Sequence, residues 1–121
     1  MLQLEHAAQY GHMTDELSWL QKWFSAQCDG EWEHGFAITI ETLDNPGWSV
    51  KICLEGTGLE FAQFETVKTK VSESDWVLCR IIERQKGLPH SSNYRRFEGF
   101  GGSFNLPDIL KTFRTWAETR R

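Results

Sequence analysis

The densest group of chemically active side chains lies at residues 28–34, where the order is Cys-Asp-Gly-Glu-Trp-Glu-His. Thiol, carboxylate and imidazole groups all bind metal ions, but neighbours in a chain rarely converge on one ion without further ligands. The other histidines, His6, His12 and His90, supply no HxH or HxxxH spacing, and the three cysteines are far apart. We therefore expect no metal site and no cofactor.

Glu31, Glu33 and His34 could instead serve as general acid and base, since the two glutamates would lie on one side of an extended segment. Neither a nucleophile nor a phosphate-binding motif accompanies them, so a small enzyme remains an alternative and not the preferred reading. In a second interpretation the segment is a polar connection, with Trp32 covering the core edge and His34 capping a backbone group. The third is an acidic binding loop with Trp32 as aromatic anchor.

Two features of the C-terminal half of the chain suggest binding of phosphate or nucleic acid, but neither has the surrounding residues that such a site needs. The glycine-rich residues 99–104 lack the lysine of a P-loop, so a turn that passes close to an aromatic ring is favoured. An isoelectric point near 5.5 argues against a nucleic-acid module, which is kept as a third alternative. Its residues would be Lys68, Lys70, Arg84, Arg95 and Arg96.

The net charge of −4 conceals an asymmetry along the chain. Residues 1–65 carry eleven acids and two bases, whereas residues 66–121 carry six acids and eleven bases. Unless the two halves interleave and cancel, one surface would attract a basic partner.

The composition indicates one globular domain in a reducing compartment. Of the 121 residues 40% are hydrophobic and 25% are charged, and six Trp and eight Phe supply a core. Cys28, Cys53 and Cys79 are odd in number, which argues against a disulfide framework. Because the chain shows no signal peptide and no transmembrane run, we expect a cytoplasmic protein with no membrane partner.

Two helices are predicted, one near each end. Met13 is the expected functional start and Thr14 the N-cap of the first helix, which should end at Asp29 and Gly30. Its apolar face is predicted to comprise Leu17, Leu20, Trp23, Phe24 and Cys28, with Trp19 at the edge. The second helix should follow Asn105 as N-cap, with an apolar stripe of Leu106, Ile109, Leu110, Phe113, Trp116 and Ala117.

Period-two alternation predicts the strands. Phe36, Ile38 and Ile40 should face the core in one strand, and Trp48, Val50, Ile52 and Leu54 in the next. Pro46 and Gly47 indicate a type II turn between them. Residues 60–71 offer one or two strands, residues 76–82 are apolar on both faces and should be central, and a strand at 94–100 should stop at Gly101 and Gly102. The fold class is therefore α+β, a mainly antiparallel sheet of four to six strands with an N-terminal and a C-terminal helix packed on it.

Several stretches resemble the bacterial immunity proteins of polymorphic toxin systems, specifically immunity protein family 53. The resemblance covers about residues 17–116 and is strongest at 19–24, 28–34 and 40–48, with weaker matches at 75–76, 97–101 and 109–116. Glu31 stands where the family usually has Asp, and Ala37 where it usually has Gly. The resemblance implies a cytoplasmic antidote that binds and neutralises a cognate toxin encoded by the adjacent gene, with no enzyme activity and no cofactor. Residues 1–12 lie outside it and are expected to be a dispensable extension, followed by a single domain at 13–121.

We predict that the toxin contacts two loops at opposite ends of one strand, roughly 20 Å apart. The acidic loop would contribute Asp29, Glu31, Trp32, Glu33 and His34, and the hairpin tip Asp44, Asn45 and Trp48. The acidic loop should dominate, since its carboxylates would speed encounter with a basic toxin. Trp48 could equally belong to the core, because it continues the apolar alternation of its strand.

Overall fold

The computed structural model describes residues 15–35, 37–83 and 95–120. The helices are α1 (Glu16–Gln27) and α2 (Leu106–Thr119), a 3₁₀ turn spans Trp32–His34, and the strands are β1 (Ile38–Leu43), β2 (Gly47–Cys53), β3 (Val67–Ser72), β4 (Asp75–Glu83) and β5 (Arg95–Gly102). This arrangement confirms the predicted α+β class. The expectations for residues 1–13, Phe36, Arg84 and residues 85–94 fall outside the described residues. No helix in the described ranges is long and apolar enough to cross a membrane.

The five strands form one antiparallel sheet in the order β1-β2-β5-β4-β3. The predicted hairpin at residues 43–47 is confirmed as the β1–β2 connection, but the type II turn is wrong, because positive φ among the described glycines occurs at Gly30 and Gly56. Gly47 belongs to β2 instead, and a Cβ there would collide with the carbonyl oxygen of Gly101. Residues 60–71 contain a single strand, β3, which begins at Val67.

Residues 76–82 belong to an interior strand, as predicted, since β4 pairs with β3 on one side and with β5 on the other, and β5 lies in the middle of the sheet. The glycines expected to end β5 are part of it, since Gly101 pairs with Val77 and Gly102 with Gly47. Glycine is required within β5 because α2 packs closely on this strand. A Cβ on Gly99, for example, would overlap the Cγ2 of Ile109 in α2. Small residues in β5 therefore let the second helix lie directly on the centre of the sheet.

Helix α1 begins one residue later than predicted and buries a narrower face. Its N-cap is Asp15, not Thr14, and the Asp15 carboxylate accepts a hydrogen bond from the backbone N–H of Ser18 at 2.7 Å. Leu20 is buried, but Leu17 is 55% exposed, Phe24 is 37% exposed and Cys28 is exposed at the C-cap, so these three predictions of burial were wrong. The helix packs chiefly on α2 and not on the sheet, which leaves only one side of it in contact.

Helix α2 supplies the predicted apolar stripe and the centre of the core. Five of the six predicted residues are buried, namely Ile109, Leu110, Phe113, Trp116 and Ala117. The Phe113 ring lies 5.0 Å from the rings of Trp23 and Phe97, centroid to centroid. Asn105 occupies the N-cap position, but its side chain does not cap the helix. It accepts from the N–H groups of Trp76 and Gly102 instead, which ties α2 to β4 and β5.

The helices pack on one face of the sheet and not on the other. Both helices lie over the face that carries Val50, Ile52, Val77, Cys79 and Phe97, all of which are buried. Burial raises the pKa of the Cys79 thiol to about 12. The opposite face, called the open face below, is covered by no described helix. Its β4 residues Trp76, Leu78 and Ile82 are half-buried, so the prediction that both sides of β4 are core was wrong for this side.

Candidate functional site

The acidic loop, residues 29–34, is held in shape by its own carboxylates. Asp29 accepts from the backbone N–H groups of Glu31 at 2.9 Å and Trp32 at 3.0 Å. Glu33 reaches back and accepts from the N–H groups of Asp29 at 2.8 Å and Gly30 at 2.7 Å. This reciprocal pattern resembles a capping box at the start of the 3₁₀ turn, and Gly30 supplies the positive φ of 94° at the bend.

The same hydrogen bonds keep both carboxyls ionised. Backbone N–H donation, first from Trp32 and then from Glu31, lowers the pKa of Asp29 below its ordinary value. The pKa of Glu33 is also lowered, first by its own backbone N–H and then by those of Asp29 and Gly30. Two of the predicted contact carboxylates therefore carry full negative charge at neutral pH while they shape the loop.

Trp32 connects the acidic loop to the core. Its side chain is 9% exposed, and its indole N–H donates to the carbonyl oxygen of Cys53 at 3.2 Å. The ring lies 5.7 Å from that of Trp23 and 5.5 Å from that of Phe24. Trp32 thus lies at the core edge, as one of the sequence interpretations held, and it positions the loop from beneath.

The structure does not assemble the residues of the enzyme alternative into a catalytic group. Glu33 is engaged by backbone amides, Glu31 and His34 are exposed, and no side-chain hydrogen bond joins the three. The His34 side chain also makes no cap to a backbone group within the described ranges, contrary to one interpretation. In the same ranges, no group of three or more His, Cys, Asp or Glu side chains is placed to hold a metal ion.

A second loop, residues 54–66, starts next to the acidic loop and carries further acidic and aromatic groups. It continues from Cys53, whose carbonyl Trp32 contacts, and the guanidinium of Arg95 fixes it by donating to the carbonyl oxygens of Glu60 and Ala62. Burial, with nearby Glu55 and Glu60, raises the pKa of Cys53. Phe61 is 85% exposed. Phe61 was not among the predicted contact residues, because residues 60–71 were expected to form strands, although Gly56 and Gly58 mark a loop.

The hairpin tip lies at the other end of β1 from the acidic loop, as predicted. Asp44 and Asn45 are exposed at the tip. Trp48 is half-buried against the core, and its indole N–H donates to the carbonyl oxygen of Ser103 at 3.1 Å. The six residues of β1 separate the two loops by roughly 20 Å.

A buried carboxylate between two arginines on the open face was also missed. Glu98 is 4% exposed, and it accepts from Arg80 Nε at 3.3 Å and from Arg96 Nε at 2.8 Å. One indication that these charges share a face was present in the sequence. Arg96 and Glu98 alternate in β5, and Arg80 is two residues from Leu78 in β4. The proposed nucleic-acid patch does not form as predicted, since Arg95 points to the helix side.

Three comparisons with known proteins were made. Neither the curated proteins nor the solved structures contain a match. The family model described as immunity protein 53 matches residues 17–118, a range that includes the five described strands and all but one residue of each described helix. Since this match covers most of the chain, the protein belongs to the immunity protein 53 family.

Proposed function

We propose that this protein binds a cognate toxin in the cytoplasm and neutralises it without catalysis, and that the toxin is encoded by the adjacent gene. The observation that carries the proposal is the family match over residues 17–118, which spans the described fold. An immunity protein implies a toxin partner, and neutralisation by binding needs an exposed, rigid surface of suitable charge and not a reactive centre.

The acidic loop is the surface that the proposal places against the toxin, with the hairpin tip as a second contact. The Asp29 and Glu33 carboxylates accept hydrogen bonds from backbone N–H groups and hold the loop before any partner arrives, so little conformational entropy is lost on binding. Glu31 and His34 are exposed for direct contact. Carboxylates on a rigid loop accelerate encounter with a basic surface.

Phe61 takes the place of Trp32 as the proposed aromatic anchor. Interfaces draw much of their affinity from a few large side chains surrounded by polar groups. Trp32 is buried and supports the loop, whereas Phe61 is 85% exposed on the neighbouring loop, close to Glu60. A toxin that contacts both loops would bury an aromatic ring bordered by carboxylates.

The test combines rescue of growth with binding. Bacteria that express the toxin domain of the adjacent gene should grow when wild-type protein is co-expressed, and the purified proteins should form a complex. Glu31→Lys gives the clearer test, because the Glu31 carboxylate makes no hydrogen bond among the described residues and its replacement should leave the shape of the loop unchanged. Asp29→Lys is the second variant. Glu118→Lys, the same charge change at the exposed end of α2, is the control.

We expect both loop variants to weaken binding by about tenfold or more and to reduce the salt dependence of the association rate, with Glu118→Lys close to wild type. Melting temperatures must show that the variants remain folded. Unchanged affinity and salt dependence in both loop variants would contradict the acidic-loop assignment. Absence of both rescue and complex formation with wild-type protein would contradict the proposed function itself.

A further inference from the structure

The open face of the sheet carries an excess of positive charge around half-buried apolar side chains. Residues paired across neighbouring strands share a face, and this register assigns five cations and two carboxylates of the described strands to the open side. The cations are Lys51, Lys68, Lys70, Arg80 and Arg96, and the carboxylates are Glu41 and Glu98. Trp76, Leu78 and Phe100 lie among them and are half-buried.

A groove of about 620 Å³ crosses this face between the hairpin tip and the β3–β4 hairpin. Trp76 and Leu78 contribute apolar surface to it, and Lys68 and Lys70 line its β3 side. Lys70 is 3.2 Å from Glu73, but both side chains are largely exposed, so this ion pair holds Lys70 only weakly. We call the part formed by these two lysines, Trp76 and Leu78 the cationic groove.

Two arginines extend the positive charge beyond the cationic groove, and both are fixed in place. Glu98 holds Arg80 and Arg96 by its two carboxylate oxygens. The Arg80 guanidinium also lies over the Phe100 ring, 5.6 Å from its centroid. Arginine and tryptophan on a preorganised surface are typical of the residues that dominate protein interfaces.

We infer that the cationic groove binds an acidic segment of the toxin, with carboxylates on Lys68 and Lys70 and an apolar side chain on Trp76 and Leu78. Charge complementarity carries the inference, since cations exceed carboxylates on the open face although the whole chain is negative. The inference rests on the proposed function. A toxin that meets the acidic loop with basic groups and the cationic groove with acidic groups can dock in one orientation only.

A protein segment fits the open face better than a nucleic acid does. The Glu98 carboxylate lies between the two arginines, Glu73 lines the groove beside Lys70, and Glu41 lies on the edge strand β1. A continuous run of phosphates would meet these negative charges, whereas a protein segment can place single carboxylates at the lysines alone. A nucleic-acid surface is normally a basic stripe on a basic domain, whereas this chain has a net charge of −4.

The experiment measures binding of the purified toxin domain of the adjacent gene to Lys68→Glu/Lys70→Glu. The matched control is Lys22→Glu/Lys111→Glu, which makes the same charge change at exposed positions on the two helices. We expect the groove variant to lose about tenfold or more in affinity and the control less than about twofold. Both pairs of lysines are exposed, so melting temperatures should stay near wild type.

Cross-linking tests the chemistry of the bound segment directly. With the photoreactive residue p-benzoylphenylalanine in place of Lys68, the cross-linked toxin peptide should be rich in Asp and Glu. A peptide rich in Lys and Arg, or none, would overturn the inference.

The outcomes separate the two proposals. If wild-type protein binds the toxin and the groove variant binds equally well, the inference fails and the proposed function stands. If wild-type protein binds no toxin, both fail. If a short single-stranded oligonucleotide binds wild-type protein at physiological ionic strength and the groove variant does not, the open face is a nucleic-acid surface and the inference is overturned.

Discussion

Replacement of Glu98 by glutamine tests whether the arginines of the open face are held by a buried charge. The side chain is 5% exposed, while those of Arg80 and Arg96 are 44% and 34% exposed. Glu98→Gln keeps the shape of the side chain but puts an NH₂ group where one oxygen accepted from a guanidinium. Two hydrogen-bond donors then face each other, and two cations lose their shared counter-charge.

The cost follows from the exposure of the arginines. Hydrogen bonds to charged groups contribute about 1.5–3 kcal/mol, and removing one partner of a fully buried ion pair costs about 3–5 kcal/mol. Because both arginines reach water and can turn toward it, we expect the lower range, about 2 kcal/mol in the free energy of unfolding. For a chain of this size that corresponds to a fall in melting temperature of roughly 8 °C.

Urea denaturation followed by circular dichroism measures the difference, with Glu73→Gln as the matched control. Glu73 is also ion-paired, at 3.2 Å from Lys70, but it is 95% exposed, so its replacement should cost less than about 0.5 kcal/mol. A double-mutant cycle with Arg80→Met should give a coupling energy of about 1 kcal/mol. If Glu98→Gln were no more destabilising than Glu73→Gln, Glu98 would not hold the arginines and the preorganisation argued for the open face would be wrong.

Three further expectations concern the core, the sheet and the acidic loop. Phe113→Ala should lower the free energy of unfolding by about 3–5 kcal/mol, measured by urea denaturation, because the ring is fully buried at the centre of the aromatic cluster. Gly99→Ala should cost about 1–3 kcal/mol by the same assay, since the added Cβ meets Ile109. The pKa values of Asp29 and Glu33 are lowered in the folded chain, so their stabilising effect is fully present above about pH 4 and is lost as the pH falls through the lowered values. Amide hydrogen exchange in the loop should therefore quicken in acid in the wild type, relative to the rest of the chain, and Asp29→Asn/Glu33→Gln should show the quicker exchange already at neutral pH.

Elements with strong periodicity could be predicted from the sequence. The stripe of α2 and the buried alternation of β2 were both confirmed, because each places apolar groups on one side of a regular element. The exposure of Leu17 and Phe24 could not be predicted, since it depends on how α1 packs against α2 and not on the sequence of α1 alone. The strand order also escaped prediction, because it depends on which strand offers the least bulk beneath a helix. Gly99 gave that position to β5.

Surfaces were harder to predict than elements, for a reason that bears on function. The acidic loop is contiguous in sequence, and its carboxylates could be recognised there, although their bonds to backbone amides could not. The open face draws its charge from β2, β3, β4 and β5, whose contributions come together only through the pairing register. The exposed lysines of the open face contribute little to the core beneath the helices. Substitutions at these lysines can therefore change the charge that the open face presents to a partner, at small cost in stability. The proposed binding of one toxin and not its relatives needs a surface with that freedom, and in this fold such a surface is available on the side of the sheet that the described helices leave open.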